Sequence, residues 1–360
     1  MDKCYSYFVT VPYRVLSIIS MKQLFSTARL YALFSILFLI CALQVQAGQI
    51  PVLKDTAKHR PQAATTEPED AQRMAAWISL GDHSSIAAVK RRVRRTKSTA
   101  SRLPNIKKQI TSKSVIIMDA ETGETIFAKA PDNPRQPAST IKVLTGMIAI
   151  KSLDSDERVS VSRHASGMPR SKIYLDTRKQ YKVDDLINAV LLASANDASV
   201  ALAEKIAGSE QDFARMMTLR AKLWGARNTI CRTASGLTAK GQHSTARDLA
   251  TIFRHTMQNQ EFARRMQKTK VTTSYGKTLR NHNKALWRVK GANGGKTGYT
   301  AAARQTYVGK FTREEGSIIV AIMGSETMWS DLKNLVEYGF KRKQQIARAR
   351  MENTRFAQAD

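Results

Sequence analysis

The chain has 360 residues, with 58 Lys and Arg against 29 Asp and Glu, and a formal net charge of +29. This length fits one large or two small domains, and the charge favours an anionic partner such as nucleic acid, acidic lipid or a wall polymer. The sequence has no zinc-finger spacing and no aromatic ribonucleoprotein-type stretch, so we expect no nucleic-acid partner. Beyond the N-terminal region Cys231 is the only cysteine, which excludes a disulfide framework; we expect no metal and no cofactor.

The N-terminal region has the pattern of a secretory signal. Lys22 and Arg29 precede an apolar run, and small residues lead to Ala47. We therefore expect residues 1–47 to be a signal peptide, with Met21 as an alternative start, and the protein to be exported to the periplasm or cell envelope. The apolar run is about 16 residues long, slightly short of a membrane span, and an uncleaved anchor stays open as the alternative.

Residues 48–108 are expected to form a basic, poorly ordered leader. Pro, Ala, Thr, Gln and Lys dominate it, and its apolar periodicity is weak. Residues 90–97 form a dense basic run. One interpretation is a solvated tether; the other is attraction to an anionic membrane or wall surface, which would associate the protein with the membrane through its N-terminal region.

A folded domain is predicted over residues 109–345, with β-rich ends around a helical middle. Strands are predicted at 114–119, 125–128, 304–312 and 317–324, the last of them central because it is almost wholly apolar. Helices are predicted at 186–193, 198–207, 209–224, 245–257 and 259–268. A final helix is expected from Trp329 to about Arg350, and residues 346–360 are expected to be a frayed tail.

Ser139 and Lys142 lie three residues apart at the start of an apolar, helix-forming run. Positions i and i+3 share a helix face, so the amine can reach the hydroxyl. The positive end of the helix favours an alkoxide and, with burial, disfavours a protonated amine, which suits a serine nucleophile with a lysine base. The same short pattern also occurs at 274–277 and 330–333, so it is weak evidence alone.

Two further motifs follow, each occurring once. Ser194-x-Asn196 falls in a predicted loop between helices, and Lys296-Thr297-Gly298 in a predicted strand. Taken singly, Asn196 could be a helix cap and Lys296 a solvated strand-edge lysine. Their joint order and contexts favour a shared site instead.

This set of motifs resembles that of the penicillin-binding proteins and serine β-lactamases, and more narrowly the low-molecular-mass D-alanyl-D-alanine carboxypeptidases. The likeness covers residues 110–340 and includes Gly236-Leu237 and the run 243–249. It implies an α+β, β-lactamase/transpeptidase-like fold, with an antiparallel sheet flanked by helices, an inserted all-helical lobe and the site between them. Ala195 departs from the glycine of many relatives. Because only about 60 residues follow Gly298, we expect neither a β-rich second domain nor a C-terminal anchor.

The resemblance also implies roles for individual residues. Ser139 would be the nucleophile, Lys142 the general base and Ser194 a proton relay. The implied substrate-binding residues are Asn196 for the substrate amide, Lys296 and Thr297 for the terminal carboxylate, and Gly298 and Tyr299 beside the reacting carbonyl. The backbone N–H groups of Ser139 and Tyr299 would form the oxyanion hole.

The expected activity is removal of the terminal D-alanine from peptidoglycan pentapeptide stems through an acyl-enzyme, with β-lactam antibiotics as acylating inhibitors. A D,D-endopeptidase that cuts cross-links is the alternative within enzymes, and a non-catalytic wall-binding protein is the alternative outside them. A class A β-lactamase is disfavoured, because the sequence has no Glu-x-x-Leu-Asn stretch to activate a deacylating water.

The basic run of the leader has a direct test. If it attracts the protein to anionic surfaces, deleting residues 88–98 will lower the fraction that sediments with anionic vesicles, and added salt will weaken binding of the intact chain. Unchanged partitioning of the deletion variant would leave only the tether interpretation.

Overall fold

The computed structural model describes residues 105–357, and Leu103 before them, with side chains described to Thr354. The predicted signal peptide, and the predicted leader apart from these first residues, lie outside the described part. Among the described residues, no helix combines the length and the apolar character needed to cross a membrane.

Five antiparallel strands form the main sheet, in the order β2-β1-β9-β8-β7. They are β1 (Ser114–Asp119), β2 (Thr125–Lys129), β7 (Ala292–Thr300), β8 (Arg304–Arg313) and β9 (Gly316–Ser325). The strand β9 lies in the middle, as its apolar sequence predicted. Its alternate side chains enter two separate cores, Ile318, Val320 and Ile322 on one face and Ile319, Ala321 and Met323 on the other.

The helical lobe is inserted between β2 and β7. It contains α1 (Lys142–Ser152), α2 (Arg163–Gly167), α3 (Val183–Leu191), α4 (Asn196–Ala207), α5 (Glu210–Leu223), α6 (Ala246–Thr256), α7 (Gln260–Gln267) and α8 (Ala285–Arg288). Two small hairpins accompany these helices, β3 (Arg158–Ser160) with β4 (Gln180–Lys182), and β5 (Lys270–Thr272) with β6 (Thr278–Arg280). The last helix, α9 (Met328–Ala357), covers the opposite face of the sheet. The predicted fold class is therefore confirmed.

The helix α1 lies in the centre of this arrangement. Every residue from Lys142 to Ala149 is buried. A Cβ on Gly146 would lie 2.5 Å from a methyl of Leu191, so the glycine permits α1 to pack closely on α3. Because other elements cover this end of α1 on all sides, the side chain of its first residue, Lys142, lies in the protein interior.

Both ends of the domain differ from the prediction. A short 3₁₀ turn at Ile106–Lys108 already belongs to the domain, since Ile106 is buried in the core beneath α9. The tail expected to fray from residue 346 instead continues α9 to Ala357. Its residues are mostly good helix formers, and Arg350 pairs with Glu124 of the loop before β2 at 2.9 Å.

The buried carboxylate of Asp331 links the residues just before β1, the end of β9 and the start of α9. The side chain of Asp331 accepts hydrogen bonds from the backbone N–H groups and hydroxyls of Thr111 and Ser112, and from the hydroxyls of Ser325 and Thr327. Desolvation raises the pKa of Asp331, but the hydrogen bonds outweigh it and the pKa lies below its ordinary value. The ionised form is therefore the one that stabilises the fold.

We expect Asp331→Asn to lower the free energy of unfolding by about 2–3 kcal/mol at neutral pH, because several donors lose a charged acceptor. A lowered carboxyl pKa contributes stability above its unfolded value of about 3.9 and loses it as the pH falls further. The difference between wild type and variant in urea denaturation should thus shrink below about pH 4. The control is Asp154→Asn, at an exposed carboxylate; a pH-independent difference for Asp331→Asn would contradict this account.

Candidate active site

Ser139 lies in a 3₁₀ turn, Ala138–Ile141, which leads directly into α1. The carbonyl of Pro137 accepts hydrogen bonds from Thr140 and from Thr306 of β8, and so fixes the turn to the sheet. Ala138 has a φ of +49°, a backbone conformation that L-residues seldom adopt. The surrounding structure therefore determines this turn, which leaves Ser139 half-buried and accessible.

Two glycines make room for the turn. A Cβ on Gly236 would lie 2.0 Å from the carbonyl oxygen of Ala138, and the φ of Gly236 is +77°. A Cβ on Gly298 would lie 2.7 Å from the backbone nitrogen of Ser139. Strand β7 therefore runs directly beside the turn, and among the described strands it is the edge strand, paired only with β8.

The amine of Lys142 lies beneath Ser139 and has three neighbours. Its Nζ is 2.8 Å from the hydroxyl oxygen of Ser139, 2.7 Å from Oδ1 of Asn196 and 2.6 Å from the carbonyl oxygen of Ser235. The last two atoms can only accept hydrogen bonds. A neutral amine has two N–H bonds and one lone pair, so both N–H groups are used and the lone pair is left for the hydroxyl proton of Ser139.

The environment of Lys142 favours that neutral form. Desolvation lowers the pKa of Lys142 well below its ordinary value, and the positive charge of Lys296 lowers it further, while Asp197 and Glu210 act in the opposite direction. The side chain is fully buried, and all three hydrogen-bond partners are uncharged. An unprotonated lysine in contact with a serine hydroxyl is the arrangement needed for general-base catalysis.

Lys296 is the second buried amine of the site. It lies on β7, is 1% exposed and donates hydrogen bonds to the hydroxyl of Ser194 at 2.8 Å and to the carbonyl of Thr297 at 3.0 Å. Desolvation lowers its pKa to about 7. Lys296 is therefore an internal amine that gains its positive charge as the pH falls through the neutral range, not the solvated strand-edge lysine considered as the alternative.

The segment 194–196 contacts both buried amines: Ser194 contacts Lys296, and Asn196 contacts Lys142. Asn196 is the first residue of α4; the preceding position, Ala195, is the cap, and it makes no side-chain capping bond. The amide nitrogen of Asn196 donates to the carbonyl of Pro169 at 2.9 Å, which orients its oxygen towards Lys142. Asn196 therefore orders the site, and the capping interpretation is wrong.

The predicted residues converge on one cavity of about 490 Å³. Ser139, Ser194, Asn196, Thr297, Gly298 and Tyr299 line it, and Lys142 and Lys296 reach Ser139 and Ser194 from the buried side. The described residues that line this cavity include no Asp or Glu. The Ser-x-x-Lys pattern at 274–277 does not form such a pair: Ser274 donates to Asp185, while Lys277 donates to the carbonyl of Ile173.

Sequence reasoning missed several contributors. The carbonyl groups of Pro169 and Ser235 hold Asn196 and Lys142, and backbone atoms leave no signal in residue type. In the loop that contains Ser235, only the following Gly236-Leu237 belonged to the residues that the resemblance included. His282 and Lys284 also line the cavity, on a segment that no motif distinguishes.

The fold and this arrangement of serine and lysines are those of the penicillin-binding, transpeptidase-like class. A model of the D-alanyl-D-alanine carboxypeptidase family matches residues 97–327, and the chain belongs to this family. Among curated relatives, DacF of Bacillus subtilis is 31% identical over 231 residues, which cover 60% of this chain and 58% of the relative. DacB2 of Mycobacterium tuberculosis is 33% identical over 236 residues, which cover 62% and 81%. The chain thus spans less than two thirds of the length of DacF.

Solved structures agree with the fold. A D-alanyl-D-alanine carboxypeptidase from Mycobacterium tuberculosis aligns with a TM-score of 0.61 at 31% identity, over 64% of this chain and 91% of that one. Penicillin-binding protein D2 of Listeria monocytogenes, in its ampicillin-bound form, aligns with a TM-score of 0.59 at 27% identity, over 64% and 98%.

The two amines predict a pH profile for acylation by a penicillin, which carries a carboxylate. At low pH a protonated Lys142 cannot accept the serine proton, so the rate constant falls. With a pKa of about 7, Lys296 in the free enzyme loses its charge as the pH rises, so the second-order rate constant also falls on the alkaline side. Lys296→Arg keeps its charge and should remove the alkaline decline, whatever its absolute rate. Lys284→Arg, at an exposed lysine of the same cavity, should retain it; an unaltered alkaline limb in Lys296→Arg would contradict the assignment.

Proposed function

We propose that this protein is a penicillin-sensitive serine D,D-carboxypeptidase, which removes the terminal D-alanine from peptidoglycan pentapeptide stems. The observation that carries the proposal is the contact between the accessible Ser139 hydroxyl and the buried Lys142 amine, beside a second buried amine at Lys296. Membership of the D-alanyl-D-alanine carboxypeptidase family supports the substrate class.

Substrate binding follows from the edge strand and the second amine. The stem peptide lies extended along β7, with its terminal carboxylate at Lys296 and the hydroxyl of Thr297. One residue before that carboxylate, the scissile carbonyl is then level with Gly298 and next to Ser139. The backbone N–H groups of Ser139 and Tyr299 are suited to stabilise the oxyanion that develops there.

Acylation begins when Lys142 takes the proton of Ser139. The serine oxygen bonds to the carbonyl carbon, and the tetrahedral intermediate collapses by breaking the C–N bond. The leaving amine takes up the proton that Lys142 accepted, relayed by the hydroxyl of Ser194 in the cleft, so that Lys142 is neutral again. Water then attacks the serine ester, with Lys142 again as the base, and releases the shortened stem.

Penicillin would follow the first half of this path and then remain bound. The amine released from penicillin stays attached through the opened ring, so it remains where the D-alanine would leave and hinders the water that Lys142 would activate. The described lining of the cleft contains no carboxylate that could serve as a second base, as in class A β-lactamases. This supports slow deacylation and a persistent adduct.

We also propose that the protein acts outside the cytoplasm, in the periplasm or cell envelope. The signal-like pattern before Ala47 and the wall polymer as substrate support this location. The basic run at 90–97 would add attraction to an anionic membrane or wall surface.

Labelled penicillin tests the enzyme against a non-catalytic binding protein. Wild type should form a stable adduct and release free D-alanine from a pentapeptide, whereas Ser139→Ala should lose both by about a thousandfold or more, because the nucleophile is gone. Ser330→Ala, the serine of another Ser-x-x-Lys pattern, is the matched control and should behave as wild type. Absence of an adduct on the wild-type protein would contradict the proposal.

A further inference from the structure

One loop of the helical lobe, residues 233–236, supports both side chains of the catalytic pair. The carbonyl of Ser235 accepts a hydrogen bond from the Lys142 amine at 2.6 Å. The next residue, Gly236, lies against the turn of the nucleophile, since a Cβ on it would be 2.0 Å from the carbonyl oxygen of Ala138. A shift of this loop would therefore disturb the base and the nucleophile together.

Ala234 is the point at which this loop is held in place. Its carbonyl accepts a hydrogen bond at 2.7 Å from the hydroxyl of Thr145, which lies one turn beyond Lys142 on α1. Its N–H donates at 2.9 Å to Oε1 of Glu210, the first residue of α5. Ala234 is fully buried, so both of its backbone polar groups depend on these partners.

The two carboxylate oxygens of Glu210 have different partners. Oε1 bonds to the buried Ala234, whereas Oε2 is 3.1 Å from Nε2 of His164, whose side chain is 59% exposed. The Glu210 side chain itself is 15% exposed. It therefore connects α5 to the loop on its buried side and to α2 on its solvent side.

Glu210 also acts on Lys142 through its charge. Burial lowers the pKa of this amine most, and the charge of Lys296 lowers it further, while Asp197 and Glu210 raise it. Burial and the two lysines also lower the pKa of His282, beside the cleft, to about 4, so its ring is uncharged at neutral pH. The two carboxylates therefore counter the effect of burial and keep Lys142 basic enough to take a proton.

Of these two carboxylates, Glu210 is the one bonded to the loop. Asp197 instead accepts hydrogen bonds from three backbone N–H groups outside it, those of Ile173, Leu175 and Ala198. The residues that line the catalytic cavity do not include Glu210, so its effect on the reaction passes through Lys142 and the loop.

We propose that Glu210 is a positioning residue for the general base, which holds the Ser235 carbonyl on Lys142 through Ala234 and keeps a negative charge near the amine. This inference rests on the proposed function and adds to it a residue outside the cleft. Glu210 touches neither the substrate nor the reacting atoms.

Both effects are needed most when Lys142 carries the proton of the nucleophile. The O–H bond of Ser139 has then broken, a third N–H bond has formed on the amine, and the interior holds a new cation. The Ser235 carbonyl accepts one of these N–H groups, and the charge of Glu210 stabilises the cation across a medium of low dielectric constant. Loss of Glu210 should therefore lower kcat more than it raises KM.

Glu210→Gln, in the full-length protein, separates the charge from the hydrogen bond. The amide keeps an oxygen for the Ala234 N–H but carries no charge, so the pKa of Lys142 falls. The acid limb of the rate constant for acylation by labelled penicillin should thus move to lower pH by roughly 0.5–1 unit. With the pentapeptide at neutral pH, kcat should fall about three- to tenfold while KM stays within about twofold.

Glu210→Asp makes the opposite separation, because it keeps the charge but is one methylene too short to reach Ala234. Its acid limb should stay within about 0.3 units of wild type, whereas kcat should fall roughly tenfold or more as the loop loosens. For each variant, rates are referred to the concentration of sites titrated with labelled penicillin, so that a partly unfolded sample does not imitate a slower enzyme.

The matched control is Glu204→Gln, which removes the same charge from a half-buried side chain of the lobe whose carboxylate accepts from the hydroxyl of Ser162. Its acid limb and kcat should match wild type. An acid limb in Glu210→Gln that coincides with the control's, or a wild-type kcat in Glu210→Asp, would overturn this inference alone. A wild type that forms no penicillin adduct and releases no D-alanine would instead reject the underlying function.

Discussion

Burial of the Lys142 amine is the constraint on which the site depends. A lysine removed from water is costly as a cation and much less so as a neutral amine, so the fold selects the form that can accept a proton. Its neighbours fit that form, with two oxygens that only accept and one hydroxyl that can donate. Lys296 adds a positive charge from the same interior and strengthens the preference. The base is thus prepared by packing, before any substrate arrives.

The architecture follows from the need to bury this group and still expose Ser139. The helix α1 lies in the centre, with the helical lobe around it and β7 beside its first turn. Gly236 and Gly298 allow backbone to approach the nucleophile from two sides, at distances that a side chain would block. The cleft therefore forms at the boundary between sheet and lobe, where an extended peptide can reach the edge of β7.

Much of this could be predicted from sequence, because the governing signals are local. Apolar β9, the helix-forming run after Ser139 and the Lys296 motif each lie in the element expected of them, whereas Asn196, expected in a loop, is already the first residue of α4. The contributions of the Ser235 and Pro169 carbonyls could not be predicted, since any residue supplies a carbonyl and only the tertiary path of the chain aims it. The length of α9 was underestimated for a related reason: the Arg350–Glu124 pair that supports it joins residues far apart in sequence.

Direct titration of the Lys142 amine tests the central claim. The side-chain resonances of ¹³C,¹⁵N-lysine-labelled protein can be followed with pH by NMR, and Lys142→Arg assigns the relevant signal. We predict a titration midpoint for Lys142 far below the ordinary lysine value of 10.5, so that the amine is largely neutral where the enzyme works. A midpoint close to the ordinary value would mean that the buried amine remains protonated, and would contradict its role as the base for Ser139.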